Sequence, residues 1–119
     1  MKYVLMFADG VEDQQMWEKM PQDQMTAAYE QINQWFEEHS RSGKIVGGEE
    51  LRGPSSSTTV RFKNGKPVVT DGPYIEAKEI VGGFAIVEVK DLDEALAMAK
   101  TWPGGGEGRI VEVRPVVER

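Results

Sequence analysis

The chain contains no cysteine. That excludes disulfides, thiolate nucleophiles and cysteine-held metal, and it fits a reducing compartment. Histidine is almost as scarce. His39 is the only one, and a lone imidazole cannot supply a multi-histidine metal set, so no metal is expected. Long apolar runs are missing too: residues 3–8 (YVLMFA) stop at Asp9, too early for a signal-peptide core or a membrane span. Basic charge is also short, with 14 Lys and Arg against 20 Asp and Glu for a net charge of -6. This argues against direct binding to nucleic acid, which favours a basic stripe. Gly47-Gly48 lies outside any Gly-x-Gly-x-x-Gly context, so a nucleotide loop is rejected and no cofactor is expected. These shortages together predict a cytoplasmic protein without membrane contact.

What remains suits one domain spanning residues 1–119, long enough to bury a core unaided. Its organising stretch is residues 58–83, TTVRFKNGKPVVTDGPYIEAKEIVGG. Asn64-Gly65 lies between two strand-like runs, and a type I′ turn needs positive φ at both central residues, which Asn-Gly accepts. The turn sets the pairing: Lys63 opposite Lys66, Phe62 opposite Pro67, Val60 opposite Val69, Thr58 opposite Asp71. Val60, Phe62 and Val69 then share an apolar face, with Asp71 at its far end beside Gly72-Pro73. Such strand ends often carry binding or catalytic groups. A plain turn is the alternative, since Asp, Gly and Pro are all turn formers.

The run at 3–8 is continuous rather than alternating, which predicts a central strand covered on both faces. Residues 9–20 read as a loop or one loose helical turn, with Trp17 and its neighbouring methionines as a lid, a partner contact, or packing against the next helix. Residues 21–41 follow with an apolar stripe (Met25, Tyr29, Ile32, Phe36, His39), Pro21 at the start and Gly43 as a left-handed cap. Residues 45–51 form a strand whose glycines imply a bulge or a close backbone approach. Residues 84–89 form another strand, bracketed by glycines. Asp91 to Glu94 reads as a capping box opening a second helix, which Pro103 and the following glycines stop. The last strand, residues 109–117, alternates: Val111, Val113 and Pro115 on one face, Glu112 and Arg114 on the other.

Strand, helix, strand, hairpin, strand, helix, strand predicts an α+β sandwich of split βαβ type, with both helices on one side of a mostly antiparallel sheet. The other side should mix apolar groups with Glu88, Glu112 and Arg114. An identical partner could close it, so a homodimer is expected, leaving a cleft at the joint.

Several stretches carry a family resemblance: Thr58-Thr59-Val60-Arg61, Thr70-Asp71-Gly72-Pro73, Glu76-x-Lys78-Glu79, Gly82-Gly83 and Glu112-Val113-Arg114-Pro115. With KYVLMFADG and VGGEEL, they make the chain similar to the YCII-related (YciI-like) family in its DGPF-domain branch. The resemblance implies a ferredoxin-like fold pairing into a dimeric α/β-barrel-type assembly. It also implies a link, in some members, to sigma-factor-dependent transcription. A relative in the wider group resembles a lyase acting on a chlorinated hydroxyquinol through a His-Asp pair. This sequence departs there, because His39 falls late in the first helix, and Tyr74 stands where the signature has Phe.

Two functions fit these residues. In the first, a small-molecule cleft near Asp71 supports acid/base, lyase-like chemistry. Asp71 is the general acid/base, made effective by burial near Phe62 and Val69. Glu79 and Glu76 stand behind it, and His39 has a pKa suited to a general base. Arg61 or Lys78 would hold an anionic ligand, Thr59 would give a hydrogen bond, and Tyr74 would pack its ring while its hydroxyl finds a partner. Each has a plainer reading: His39 as a packing or capping residue, the charges at 76–79 as a solvated loop. In the second function the dimer senses a ligand or binds a protein without catalysis.

Overall fold

A computed structural model of the chain describes residues 1–10, 16, 18–72, 79–105 and 108–119, with Glu79 described by its backbone. Among the described residues six strands and two main helices follow one another: β1 (Lys2–Gly10), α1 (Gln22–Arg41), β2 (Ile45–Glu50), β3 (Thr58–Lys63), β4 (Lys66–Asp71), β5 (Glu79–Glu88), α2 (Leu92–Lys100) and β6 (Ile110–Pro115). A short 3₁₀ turn, Pro54–Ser56, precedes β3. β2, β5, β1 and β6 lie in that order in one antiparallel sheet, while β3 and β4 pair only with each other. This is the ferredoxin-like α+β arrangement that the element order predicts. The tight turn that would join β2 to β5 is expanded into the β3–β4 hairpin.

Local chemistry places the helix ends. Asp91 caps α2 by accepting a hydrogen bond from the Glu94 backbone N–H at 3.0 Å, and such a cap is worth about 1 kcal/mol. α1 starts after Pro21 in extended geometry and ends at Gly43, whose φ of 81° is the left-handed turn read from the sequence.

Alternation along β1 sends Tyr3, Leu5 and Phe7 to the helix side, where all three are buried. Ala85 and Val87 of β5 stand beside them, and Trp35, Ala95 and Met98 close the core from the helices. Trp35 satisfies its buried indole N–H by donating to the Thr101 hydroxyl at 2.9 Å, which ties α1 to the end of α2. Leu5 and Val87 are fully enclosed. Leu5→Ala is expected to lower stability by about 2–5 kcal/mol, read as a drop in the urea midpoint at unchanged slope.

The continuous apolar run of β1 is covered by helices on one side alone. On the other, Val4, Met6, Ala8, Phe84, Ile86 and Ile110 share a face by register, rimmed by Lys2, Glu88, Glu112 and Arg114. That is the mixed face expected of this sheet. β5 also begins earlier than its glycines suggest. It runs through Gly82 and Gly83, because a bulge there keeps it paired to β1 while the register shifts between Phe7 and Ala8. Among the described residues no helix is long and apolar enough to cross a membrane.

Candidate functional site

The hairpin forms with the pairing its turn demands. Asn64 and Gly65 take φ of 53° and 77°, and the partners run from Lys63–Lys66 through Phe62–Pro67 and Val60–Val69 to Thr58–Asp71. Its base is tied by Gly72 N–H to the Ser57 carbonyl (2.7 Å) and by the Thr59 hydroxyl to the Gly72 carbonyl (2.6 Å). Asp71 thus stands at a strand end beside Gly72, as the turn arithmetic requires. Its surroundings differ from expectation. Within one chain Asp71 is exposed, and so are Phe62 and Val69, which were to bury it. The hairpin pairs with no strand of the main sheet, and among the described residues nothing covers its apolar face. Arg61 is exposed on the opposite hairpin face. Tyr74, Glu76, Lys78, the Glu79 side chain and Trp17 lie outside the described residues.

His39 sits in the last turn of α1, half-buried, with its ring edge-on to Trp35 at 4.7 Å between centroids. This matches the packing alternative. Burial lowers its pKa from the ordinary value, nearby Lys44 lowers it further, and Glu38 opposes them. The unfolded chain therefore takes up a proton at His39 before the folded one does. The stability this neutral ring supports is intact above about pH 6.5 and falls as pH drops towards the folded-state pKa. Between pH 7.5 and 5, the wild type should lose more stability than His39→Gln in parallel urea titrations.

A hollow among the described residues lies elsewhere, between the N-terminal half of α1 and the ends of β1, β2 and β6. It encloses about 450 Å³, a size that holds a small organic molecule. One wall is aromatic: Trp102 stacks on Phe7 with centroids 3.9 Å apart and planes at 19°, and Phe36 meets both edge-on. Gly83, paired with Phe7 on β1 and with Glu50 on β2, lines the floor, and a Cβ there would lie 3.1 Å from the Glu49 carbonyl oxygen.

The polar end follows from register. Ala8 pairs with Ile110, so the next residues along, Asp9 and Arg109, meet across the strand ends. Arg109 Nε lies 3.6 Å from Asp9 Oδ1, and Arg109 Nη1 donates to the Gly104 carbonyl at 2.8 Å. A guanidinium has five donors, so others remain for a ligand. On the far side the Tyr29 hydroxyl donates to Glu50 Oε1 at 2.9 Å, joining α1 to β2. Neither His39, Asp71, Thr59 nor Arg61 lines this hollow. Asp9, Arg109, Tyr29 and Glu50 escaped the sequence reading, although an Asp-Gly ending the first strand and a Gly-Arg opening the last are the signal for the Asp9–Arg109 pair. Among the described residues no group of His, Cys, Asp and Glu is arranged to hold a metal ion.

A ferredoxin-like sandwich with a decorated β2–β5 connection and an aromatic hollow on its helix side defines a broad class of small α+β proteins. Within it, the model of the YCII-related domain matches residues 1–119, and the chain belongs to that family. It is also similar to an uncharacterised protein, R00369, of Rhizobium meliloti (strain 1021). The two are 33% identical over 76 residues, which cover 63% of this chain and 61% of that protein. The match thus spans under two thirds of the relative's length.

Proposed function

We propose that this protein is a homodimer that binds a small hydroxylated aromatic molecule in the hollow between α1 and the sheet. The observation that carries the ligand reading is the Phe7–Trp102 stack beside the Asp9–Arg109 pair. A ring packs against the aromatic wall, where such pairs contribute about 0.5–1.5 kcal/mol beyond area burial. A hydroxyl at its end donates to Asp9 and accepts from Arg109. Glu18 and Glu50 join Asp9 around the hollow against Arg52 and Arg109. This excess of acid disfavours a carboxylate ligand relative to a neutral phenol.

The homodimer is supported by the uncovered sheet face. β1 is apolar on both sides, and Ala8 is only 8% exposed even on the side without helices. Asp71, with Thr58 opposite and Thr59 beside it, serves as an acid/base group for a lyase-like step only when a second copy covers that strand end. Its exposure in a single chain favours binding or sensing over catalysis. Asp71-Gly72-Pro73-Tyr74 supports a place in the DGPF branch.

A thermal-shift panel of phenol, catechol, benzoate and cyclohexanol tests the ligand class. A ligand at about a hundred times its dissociation constant stabilises by roughly 2.7 kcal/mol. Phenol or catechol should raise the midpoint more than benzoate or cyclohexanol. Arg109→Met should weaken binding about tenfold or more, the usual range for a hydrogen bond to a charged group. No shift from any hydroxylated ring, or equal binding by Arg109→Met, defeats the reading.

A further inference from the structure

The hairpin is built like an arm. Neither β3 nor β4 hydrogen-bonds to the four-stranded sheet. Every residue from Val60 to Asp71 is exposed. On one face Phe62 is 78% exposed, Val69 64% and Val60 52%, although the turn chemistry and cross-strand register specify that face closely. The radius of gyration is 16.2 Å, against roughly 13–14 Å for a compact chain of this length. Strands of six residues reach about 20 Å. A two-stranded hairpin is marginal in water by itself and needs something to lie on.

Charge says what that something is. The hairpin, residues 58–71, holds Arg61, Lys63 and Lys66 against Asp71 alone, a local charge of +2. Removing +2 from the total of -6 leaves -8 on the rest of the chain. A basic, apolar arm thus projects from an acidic body. The body offers an apolar surface in the sheet face without helices, where Val4, Met6 and Ile86 are half-buried and the rim carries Glu88 and Glu112 beside Lys2 and Arg114. A second copy of this chain supplies both the apolar area and the acid.

We infer that the β3–β4 hairpin is a dimerisation arm, which lays Val60, Phe62 and Val69 on the open sheet face of a second copy and brings Lys63 and Lys66 against its acidic body. Phe62 is the anchor. By two-fold symmetry each copy gives one arm and receives one. The same docking carries Asp71 and Thr59, at the arm's base, to the joint between subunits. The inference rests on the homodimer reading but makes a separate demand, that the arm and not the sheet face alone holds the pair together.

Sedimentation velocity over a concentration series tests it, on the wild type, Phe62→Glu and Ile110→Glu. Phe62 and Ile110 are exposed in one chain, so both variants should fold, which far-UV circular dichroism checks. The wild type should sediment as a dimer, and Phe62→Glu should weaken association about 30-fold or more, as loss of an aromatic hot spot does. Because the chain has no thiol of its own, Phe62→Cys gives a second readout: maleimide labelling should slow as protein concentration rises. A wild-type dimer that Ile110→Glu weakens, with Phe62→Glu unaffected and Phe62→Cys labelled equally at every concentration, overturns the arm and leaves the dimer standing. A wild type that stays monomeric, with label protection only in the presence of an oligonucleotide, overturns both.

Discussion

Gly48→Ala should lower the thermal midpoint by about 10 °C or more, the largest effect expected of any single methyl in this chain. Gly48 has φ of 139°, a conformation that side-chain-bearing residues rarely adopt. A Cβ there would also lie 2.4 Å from the Phe84 carbonyl oxygen and 2.8 Å from the Ala85 Cα. Both are backbone atoms of β5, so no rotamer change relieves the clash. Strain of about 1–3 kcal/mol adds to the steric term. The gain from a stiffer unfolded chain is about 0.4–1 kcal/mol and does not offset it. β2 can escape only by lifting from β5, which removes the edge strand and one wall of the hollow. Gly65→Ala is the matched control. It too has positive φ, at 77°, but a Cβ there meets nothing within 4 Å, so its cost should stay near 1 kcal/mol. Thermal melts of the two variants decide the point. Equal midpoints would show that β2 and β5 do not approach as closely as this.

What the sequence disclosed and what it hid divide along a physical line. Local chemistry was legible. Asn64-Gly65 admits one tight turn, and that turn fixes six cross-strand pairs. Asp91 and Glu94 announce the start of α2 before any packing is considered. The glycines of β2 implied a bulge or a close approach, and the strand has a shift in register near Val46 and a close approach at Gly48. Long-range placement was hidden. Asp9 and Arg109 are a hundred residues apart, and they meet only because β1 and β6 pair with Ala8 against Ile110. The place of Gly83 beside Phe7 and Glu50 likewise needs three strands in register. The exposure of Asp71 within one chain has a related reason. A hairpin's own pattern tells which residues share a face, but not whether that face has a partner. His39 is the reverse case: its place on the apolar stripe of α1 suggested packing, and its ring lies edge-on to Trp35.

Gly104→Ala should remove ligand binding in the hollow while leaving the fold assembled, and here the strain is purely steric. Among the described glycines, Gly104 is the one whose added Cβ would strike an aromatic ring, at 2.6 Å from Trp102 Nε1 and 2.8 Å from Cε2. A flexible side chain would swing away; this indole cannot. It is stacked on Phe7 at 3.9 Å and held edge-on by Trp35 and Phe36. Either the ring leaves its stack or the backbone at Gly104 withdraws, which pulls its carbonyl from Arg109 Nη1. Both routes spoil the wall and the polar end together. Overpacking of this kind costs about 1–3 kcal/mol, and truncating a large core aromatic about 3–5. The variant should therefore fold and yet lose phenol or catechol binding by tenfold or more. Gly105→Ala, whose Cβ would meet only the Trp102 carbonyl at 3.1 Å, should bind nearly as the wild type does. Tryptophan emission and the ligand-induced midpoint shift, measured on both variants, report the ring and the site separately. If Gly104→Ala keeps the wild-type emission and the wild-type ligand shift, the aromatic wall does not form the binding surface assigned to it.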